Sequence, residues 1–163
     1  FSPFFHIRDF VFHSRNEINK TELRANINQF YGDNLLFLAE EDLRKNLLSH
    51  NLISSVQIEK SFPSTVHVIV EERRAVAWLK NNNQKLIFSA DGIILKEKDL
   101  KAEVNLPQLE GFAYYFDNQK IKLPLLSIDI LNVLNALEDD FLAKIKKILY
   151  QDNILSYILP NFH

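Results

Sequence analysis

The sequence predicts an α+β protein with two domains, and two observations support that prediction. Over the first 72 residues, segments of alternating or helical periodicity follow in the order strand, helix, helix, strand, strand. The remaining residues contain mainly short strand-like segments and one stretch with helical spacing. The chain has 163 residues, 47% of them hydrophobic, which is enough for one large or two small cores. We therefore expect one domain at 1–72 and a β-rich domain with one helix at 73–163.

The first domain is predicted to open with a strand and a short helix. Residues 5–12 alternate in polarity, as strands with one wet face do. The apolar face of this strand is expected to carry Phe5, Ile7 and Val11. Asn19, with Glu22 three residues later, resembles a capping box and predicts the start of the helix. Gly32 supplies the left-handed residue that commonly follows a helix end.

A second helix is predicted from about residue 40 to residue 51. Its first turn is acidic, which the helix dipole favours, and contains Glu40, Glu41 and Asp42. Leu43 and Leu47 lie one turn apart and are expected to face the core, with Leu48 widening the apolar stripe. The favourable interaction of these carboxylates with the helix dipole explains the acidic cluster better than a metal site would.

A β-hairpin follows, formed by residues 53–60 and 64–72. Each segment alternates between apolar and polar residues, and Phe62 and Pro63 occupy the turn. We expect the first strand to pair with 64–72, which leaves 53–60 at an open edge of the sheet. An open edge can accept a strand from a partner, and Gln57 and Glu59 are candidate partner-binding residues there. The alternative is that Glu59 and Lys60 only protect the edge from aggregation.

The second domain is predicted to begin with strands and to contain one helix. Asp91-Gly92 is a strong hairpin signal, whereas residues 106–111 are expected to form an irregular link. Pro124 opens the helix, in which apolar residues recur at helical spacing. Residues 142–149 suit a helix but remain ambiguous. Residues 154–159 predict a strand and a second candidate edge, whose partner-binding residues are Ile154, Leu155, Ser156, Tyr157 and Ile158.

Four charged residues lie at the predicted junction of the two domains. They are Glu71, Glu72, Arg73 and Arg74. Because opposite charges alternate in pairs at this point, we expect ion pairs that fix the angle between the domains.

Composition argues against several classes of function. The formal net charge of −2, with scattered basic residues, argues against nucleic-acid binding. The chain has no cysteine, so thiol catalysis and thiolate metal sites are excluded. Three isolated glycines do not make a phosphate-binding loop, and no two of the five histidines have the spacing of a helical metal site. We predict no catalytic residue, metal, cofactor or small-molecule substrate.

Three segments together resemble the FtsQ/DivIB family of bacterial cell-division proteins. Residues 56–78 are similar to its signature of a strand, a "P-x-T/S-L/V" turn and a strand ending in "V-x-E-R-x-P-V-A", although Ala75 stands in place of the proline. Residues 86–95 resemble its "D-x-x-G" hairpin, and residues 106–111 its "LP-x-L-x-G" link. The resemblance implies a POTRA domain, with the order β-α-α-β-β, followed by a β domain.

The resemblance also implies a function and a location. Members are non-catalytic scaffolds of the divisome that bind partners of the FtsB and FtsL type during septum formation. They are anchored in the cytoplasmic membrane by one N-terminal transmembrane helix, which this sequence lacks, and their folded part is periplasmic or otherwise extracytoplasmic. Members continue to a last edge strand, so we expect the β domain here to be truncated at its C-terminus.

Two other functions remain open at this point. A POTRA domain can also be a peptide-docking module of an outer-membrane assembly or transport protein, in which a β-barrel follows the POTRA repeats. An enzyme with an unrecognised site is the second alternative. A polar pocket with converging carboxylates and histidines would favour the enzyme.

Overall fold

The computed structural model describes residues 3–14, 20–100, 105–117, 120–152 and 154–159. The chain divides into two compact units, 1–73 and 74–163. Both units combine strands with helices, so the predicted α+β class is confirmed. The predicted capping residue Asn19 lies outside the described residues.

The first unit has the predicted order of strand, helix, helix, strand, strand. Its elements are β1 (Asp9–Ser14), α1 (Lys20–Ile27), α2 (Glu40–Leu48), β2 (Ile53–Ser61) and β3 (Thr65–Glu72). The spatial order of the sheet is β1-β3-β2, with β1 parallel and β2 antiparallel to the central strand β3. The prediction that residues 53–60 form an edge strand is therefore confirmed.

The core of the first unit lies between the helices and one face of this sheet. Leu23 and Ile27 of α1 and Leu43 and Leu47 of α2 are fully buried. The sheet contributes alternate residues of its strands, as a half-buried sheet should. These are Phe10, Phe12, Val56, Val66, Val68 and Val70. The residues on the opposite face of the sheet are exposed or half-buried, and most of them are polar.

Two expectations for the first unit are wrong in detail. The strand begins at Asp9 rather than residue 5, and Val11 is exposed while Phe10 is buried. The amide groups of Arg8 and Asp9 both donate to the carbonyl oxygen of Ser64, and this irregularity reverses the alternation after Ile7. The second helix ends at Leu48, which is exposed because it lies about 100° around the helix axis from Leu47.

The described residues of the second unit form a six-stranded mixed sheet, a two-stranded hairpin and one helix longer than a single turn. The sheet order is β11-β10-β7-β4-β5-β6. Its strands are β4 (Ala75–Asn81), β5 (Gln84–Ser89), β6 (Ile94–Leu95), β7 (Gln108–Glu110), β10 (Lys147–Gln151) and β11 (Ile154–Ile158). The hairpin consists of β8 (Tyr115–Asp117) and β9 (Lys120–Lys122), and the helices are α3 (Leu125–Asn135) and the short α4 (Asp139–Leu142).

The helix after Pro124 and the strand near the end of the chain are confirmed. Helix α3 contacts β4 and β5 and buries Ile130, Leu131 and Leu134, whereas Leu125 in its first turn is exposed. The ambiguous segment 142–149 ends as strand β10. The expected irregular link at 106–111 is wrong in part, because Gln108–Glu110 forms β7 between β4 and β10.

Candidate partner-binding site

Strand β11 is an open edge of the sheet in the second unit. It pairs with β10 alone, and the strand order of the described residues ends with it. All five residues of β11 are exposed, although four of them are large and apolar or aromatic. Ile154 is 66% exposed and Tyr157 is 65% exposed. An exposed apolar edge strand is a template for pairing with another chain.

Both faces of β11 carry large apolar side chains, although Ser156 lies between the two isoleucines of one face. Because side chains alternate along a strand, Leu155 and Tyr157 lie on one face and Ile154 and Ile158 on the other. Tyr157 is in register with the buried Ile148 of β10, and Leu155 with Tyr150. A strand added beyond β11 would therefore extend apolar rows that already begin in the core.

The edge formed by β2 is partly occupied by side chains of its own unit. Arg44 of α2 donates a hydrogen bond to the carbonyl oxygen of Val56, and Arg73 donates to that of Ile53. The Lys60 Nζ atom lies 2.8 Å from Glu40 Oε1. These contacts cover part of the edge, while Gln57 and Glu59 remain exposed.

The four charged residues at the boundary make contacts inside their own units. In the first unit, Arg73 Nη1 lies 2.9 Å from the carbonyl oxygen of Asn51, and the hydroxyls of Ser55 and Ser14 donate to the carboxylates of Glu71 and Glu72. In the second unit, Arg74 Nη1 lies 2.8 Å and 3.0 Å from the carbonyl oxygens of Asn135 and Leu137. The expected role of these residues in setting the angle between the units stays a prediction.

Sequence reasoning did not single out Arg44 or strand β7. Arg44 is one of several charged residues on α2, and only the packing of α2 against β2 brings it to a backbone carbonyl. Strand β7 has three residues and hence too little sequence for a periodicity signal. Among the described residues, no set of three His, Asp or Glu side chains is placed to hold a metal ion.

The comparison with known proteins gives a match for the fold of the first unit. Residues 5–73, which contain the β-α-α-β-β unit, match the family model described as "POTRA domain, FtsQ-type". Curated relatives are the cell division proteins DivIB of Clostridium acetobutylicum, 25% identical over 109 residues, and DivIB of Clostridium botulinum strain Hall, 26% identical over 127 residues. The chain is thus similar to cell-division proteins of the FtsQ/DivIB type, and its first unit matches their type of POTRA domain. FtsQ of Rickettsia bellii is a further relative, 22% identical over 88 residues.

The chain matches these relatives over only part of their length. The alignments cover 67% and 78% of the chain for the two DivIB proteins and 54% for FtsQ of Rickettsia bellii. They cover 44%, 49% and 33% of those relatives, respectively. The chain therefore spans about half the length of the DivIB proteins that it matches. Within the part of the chain that the structure describes, every helix is too short or too polar to cross a membrane.

Proposed function

We propose that this chain is a non-catalytic scaffold of the bacterial division machinery that binds partner proteins through strand β11. The partners are cell-division proteins of the FtsB and FtsL type. The chain acts outside the cytoplasmic membrane, to which one transmembrane helix on its N-terminal side would attach it. Similarity to FtsQ-type POTRA domains and to DivIB proteins supports the setting, and the geometry of β11 supports the mode of binding.

The exposure of β11 is the observation that carries the proposal. A strand paired along five residues forms several backbone hydrogen bonds, each contributing about 1 kcal/mol net. That is too little for stable binding alone, so apolar contacts must add to it. Burying apolar surface contributes about 25 cal/mol per Å², and β11 offers apolar side chains on both of its faces. Main-chain pairing with side-chain contacts on alternate faces is a common mode of peptide recognition.

The edge at β2 fits a docking strand less well. Two of its carbonyl oxygens already accept hydrogen bonds from Arg44 and Arg73, which an incoming strand would have to displace. Its exposed residues Gln57 and Glu59 are polar, so their burial gives little apolar free energy. We therefore place the partner on β11 and use β2 as the comparison.

The test is a calorimetric titration of the chain with the soluble part of an FtsB-type partner. Tyr157→Lys places a charge in the centre of the proposed interface, and we expect it to weaken binding at least about tenfold. Gln57→Lys makes the same change of charge on the other edge and should change the dissociation constant by less than about twofold. Circular dichroism of both variants checks that the fold is kept.

Other outcomes would contradict separate parts of the proposal, namely the choice of edge or the role as a scaffold. If Gln57→Lys weakens partner binding and Tyr157→Lys does not, the partner binds at β2. If both variants bind the partner as tightly as the wild type does, neither edge is the binding site. A chain that binds neither an FtsB-type nor an FtsL-type partner is not a scaffold for these proteins.

A further inference from the structure

The open face of the sheet in the first unit brings two histidines together. His13 lies on β1 and His67 on the neighbouring parallel strand β3, where Val11 is in register with His67 and His13 with Ile69. The His13 Nε2 atom is 3.0 Å from the His67 Nδ1 atom, and the rings lie edge to edge, with their centroids 5.2 Å apart and their planes at 20° to each other. His13 is exposed and His67 is half-buried. The two residues are 54 positions apart, so their spacing in sequence gives no sign of a metal site.

We propose that His13 and His67 together bind a divalent transition-metal ion of the zinc or copper class. Imidazole nitrogens bind such ions at about 2.0–2.1 Å. Two ligands at that distance, with an angle between 90° and the tetrahedral value, lie about 2.9–3.4 Å apart. The observed separation of 3.0 Å between the two nitrogens falls in this range.

Binding needs one change of tautomer and no loss of a proton. The hydrogen bond between the rings places one hydrogen on one of the two facing nitrogens, and the other nitrogen accepts it. If that hydrogen moves to the far nitrogen of the same ring, both facing lone pairs become available. Each ring would then turn by roughly 40°, so that both lone pairs point towards one ion beside the line that joins the two nitrogens. The metal thus replaces the shared hydrogen, and both imidazoles stay neutral.

The surroundings leave room for water as the remaining ligands. An open groove of about 350 Å³ runs beside His13 and is lined by polar residues, among them Ser55, Gln57 and Glu71, together with Ile69 and Val70. Because no third His, Asp or Glu completes a metal-binding set among the described residues, binding is weaker than at a four-ligand structural zinc site. Copper should bind more tightly than zinc, and magnesium and calcium, which prefer oxygen ligands, should not bind here.

The ion would join the edge strand β1 to the central strand β3. A ligand that binds only the folded state stabilises it by mass action. At a metal concentration ten times the dissociation constant, the unfolding equilibrium constant of this unit falls about 11-fold. This stabilisation is independent of any partner on β11.

The test is a calorimetric titration of the chain, without a polyhistidine tag, with Zn²⁺, Cu²⁺ and Mg²⁺. We expect one Zn²⁺ site, tighter for Cu²⁺ and absent for Mg²⁺, that is lost in His13→Gln and in His67→Gln. His50→Gln removes a histidine outside the pair and should retain the site. NMR spectra of the imidazole nitrogens should show His13 and His67 shifting together on addition of Zn²⁺. This readout does not depend on the stability of a variant.

Three results would overturn the proposal. The first is a wild-type chain that gives no heat of Zn²⁺ binding. The second is a His13→Gln variant that is folded by circular dichroism and binds Zn²⁺ as the wild type does. The third is a set of imidazole resonances in which Zn²⁺ shifts other histidines while His13 and His67 stay unchanged.

Discussion

Gly111 lies against the backbone of Tyr150, so closely that a Cβ atom at position 111 would be 2.1 Å from the Tyr150 carbonyl oxygen. Gly111 follows β7, and Tyr150 belongs to the neighbouring strand β10. The φ angle of Gly111 is +80°, a region that other residues enter at a cost of about 1–2 kcal/mol. Both the backbone conformation and the contact therefore require glycine.

Gly111→Ala should lower the free energy of unfolding of the second unit by at least about 3 kcal/mol, because strands β7 and β10 must separate to admit the methyl group. Gly92→Ala is a matched control in the same unit. Its φ angle is +76°, but a Cβ there meets only the Ile128 side chain at 3.5 Å. We expect it to cost about 1–2 kcal/mol. Urea unfolding measures both values. Equal losses of unfolding free energy in the two variants would contradict the predicted clash between a Cβ atom at position 111 and the Tyr150 backbone.

Arg74 should stabilise the C-terminal end of α3. Its guanidinium donates to the carbonyl oxygen of Asn135, the last residue of α3, and to that of Leu137 just beyond the helix, and it places a positive charge at the negative end of the helix dipole. Arg74→Met should therefore lower the free energy of unfolding by about 2 kcal/mol.

The ion pair of Arg74 with Asp139 should matter much less. The Arg74 Nη2 atom is 2.5 Å from Asp139 Oδ1, but the Asp139 side chain is 89% exposed, and exposed ion pairs contribute about 0–1 kcal/mol. In urea unfolding, Asp139→Asn should cost less than about 0.5 kcal/mol. A larger loss for Asp139→Asn than for Arg74→Met would show that the ion pair, and not the carbonyl contacts, holds this region.

Helix α3 offers a test of which of its faces is buried. Leu131 is fully buried, and its replacement by alanine should cost about 2–5 kcal/mol, since a cavity remains. Val133 lies on the same helix but is 65% exposed. Val133→Ala should be neutral or slightly stabilising, because valine is a poorer helix former than alanine. Thermal unfolding of the two variants gives the comparison, and similar losses would mean that Val133 is covered by another surface.

Local patterns in the sequence predict most elements of the fold, because turn chemistry and periodicity act over a few residues. The hairpin of β2 and β3, the turn at Gly92 and the helix after Pro124 are all of this kind. Long-range contacts decide the rest. Strand β7 exists only through its pairing with β4 and β10, and the buried face of β1 depends on the irregularity opposite Ser64.

For the candidate sites, too, the local sequence predicts one part and long-range contacts decide the rest. The short, largely apolar run at residues 154–159 predicts a strand, but the exposure of both its faces depends on what the rest of the chain leaves uncovered. The contact of His13 with His67 arises from a register between distant strands, which the sequence does not reveal.

Arg44 should protect the edge at β2 from unwanted pairing. Its side chain donates to the carbonyl oxygen of Val56, and without it this acceptor becomes available to another chain. Arg44→Met should therefore lower stability by about 1–2 kcal/mol and increase self-association in sedimentation experiments. Lys45→Met removes the same charge from an exposed neighbour on α2 and should change neither property. If Arg44→Met associates no more than Lys45→Met, the exposed charges of Glu59 and its neighbours are sufficient to keep this edge free.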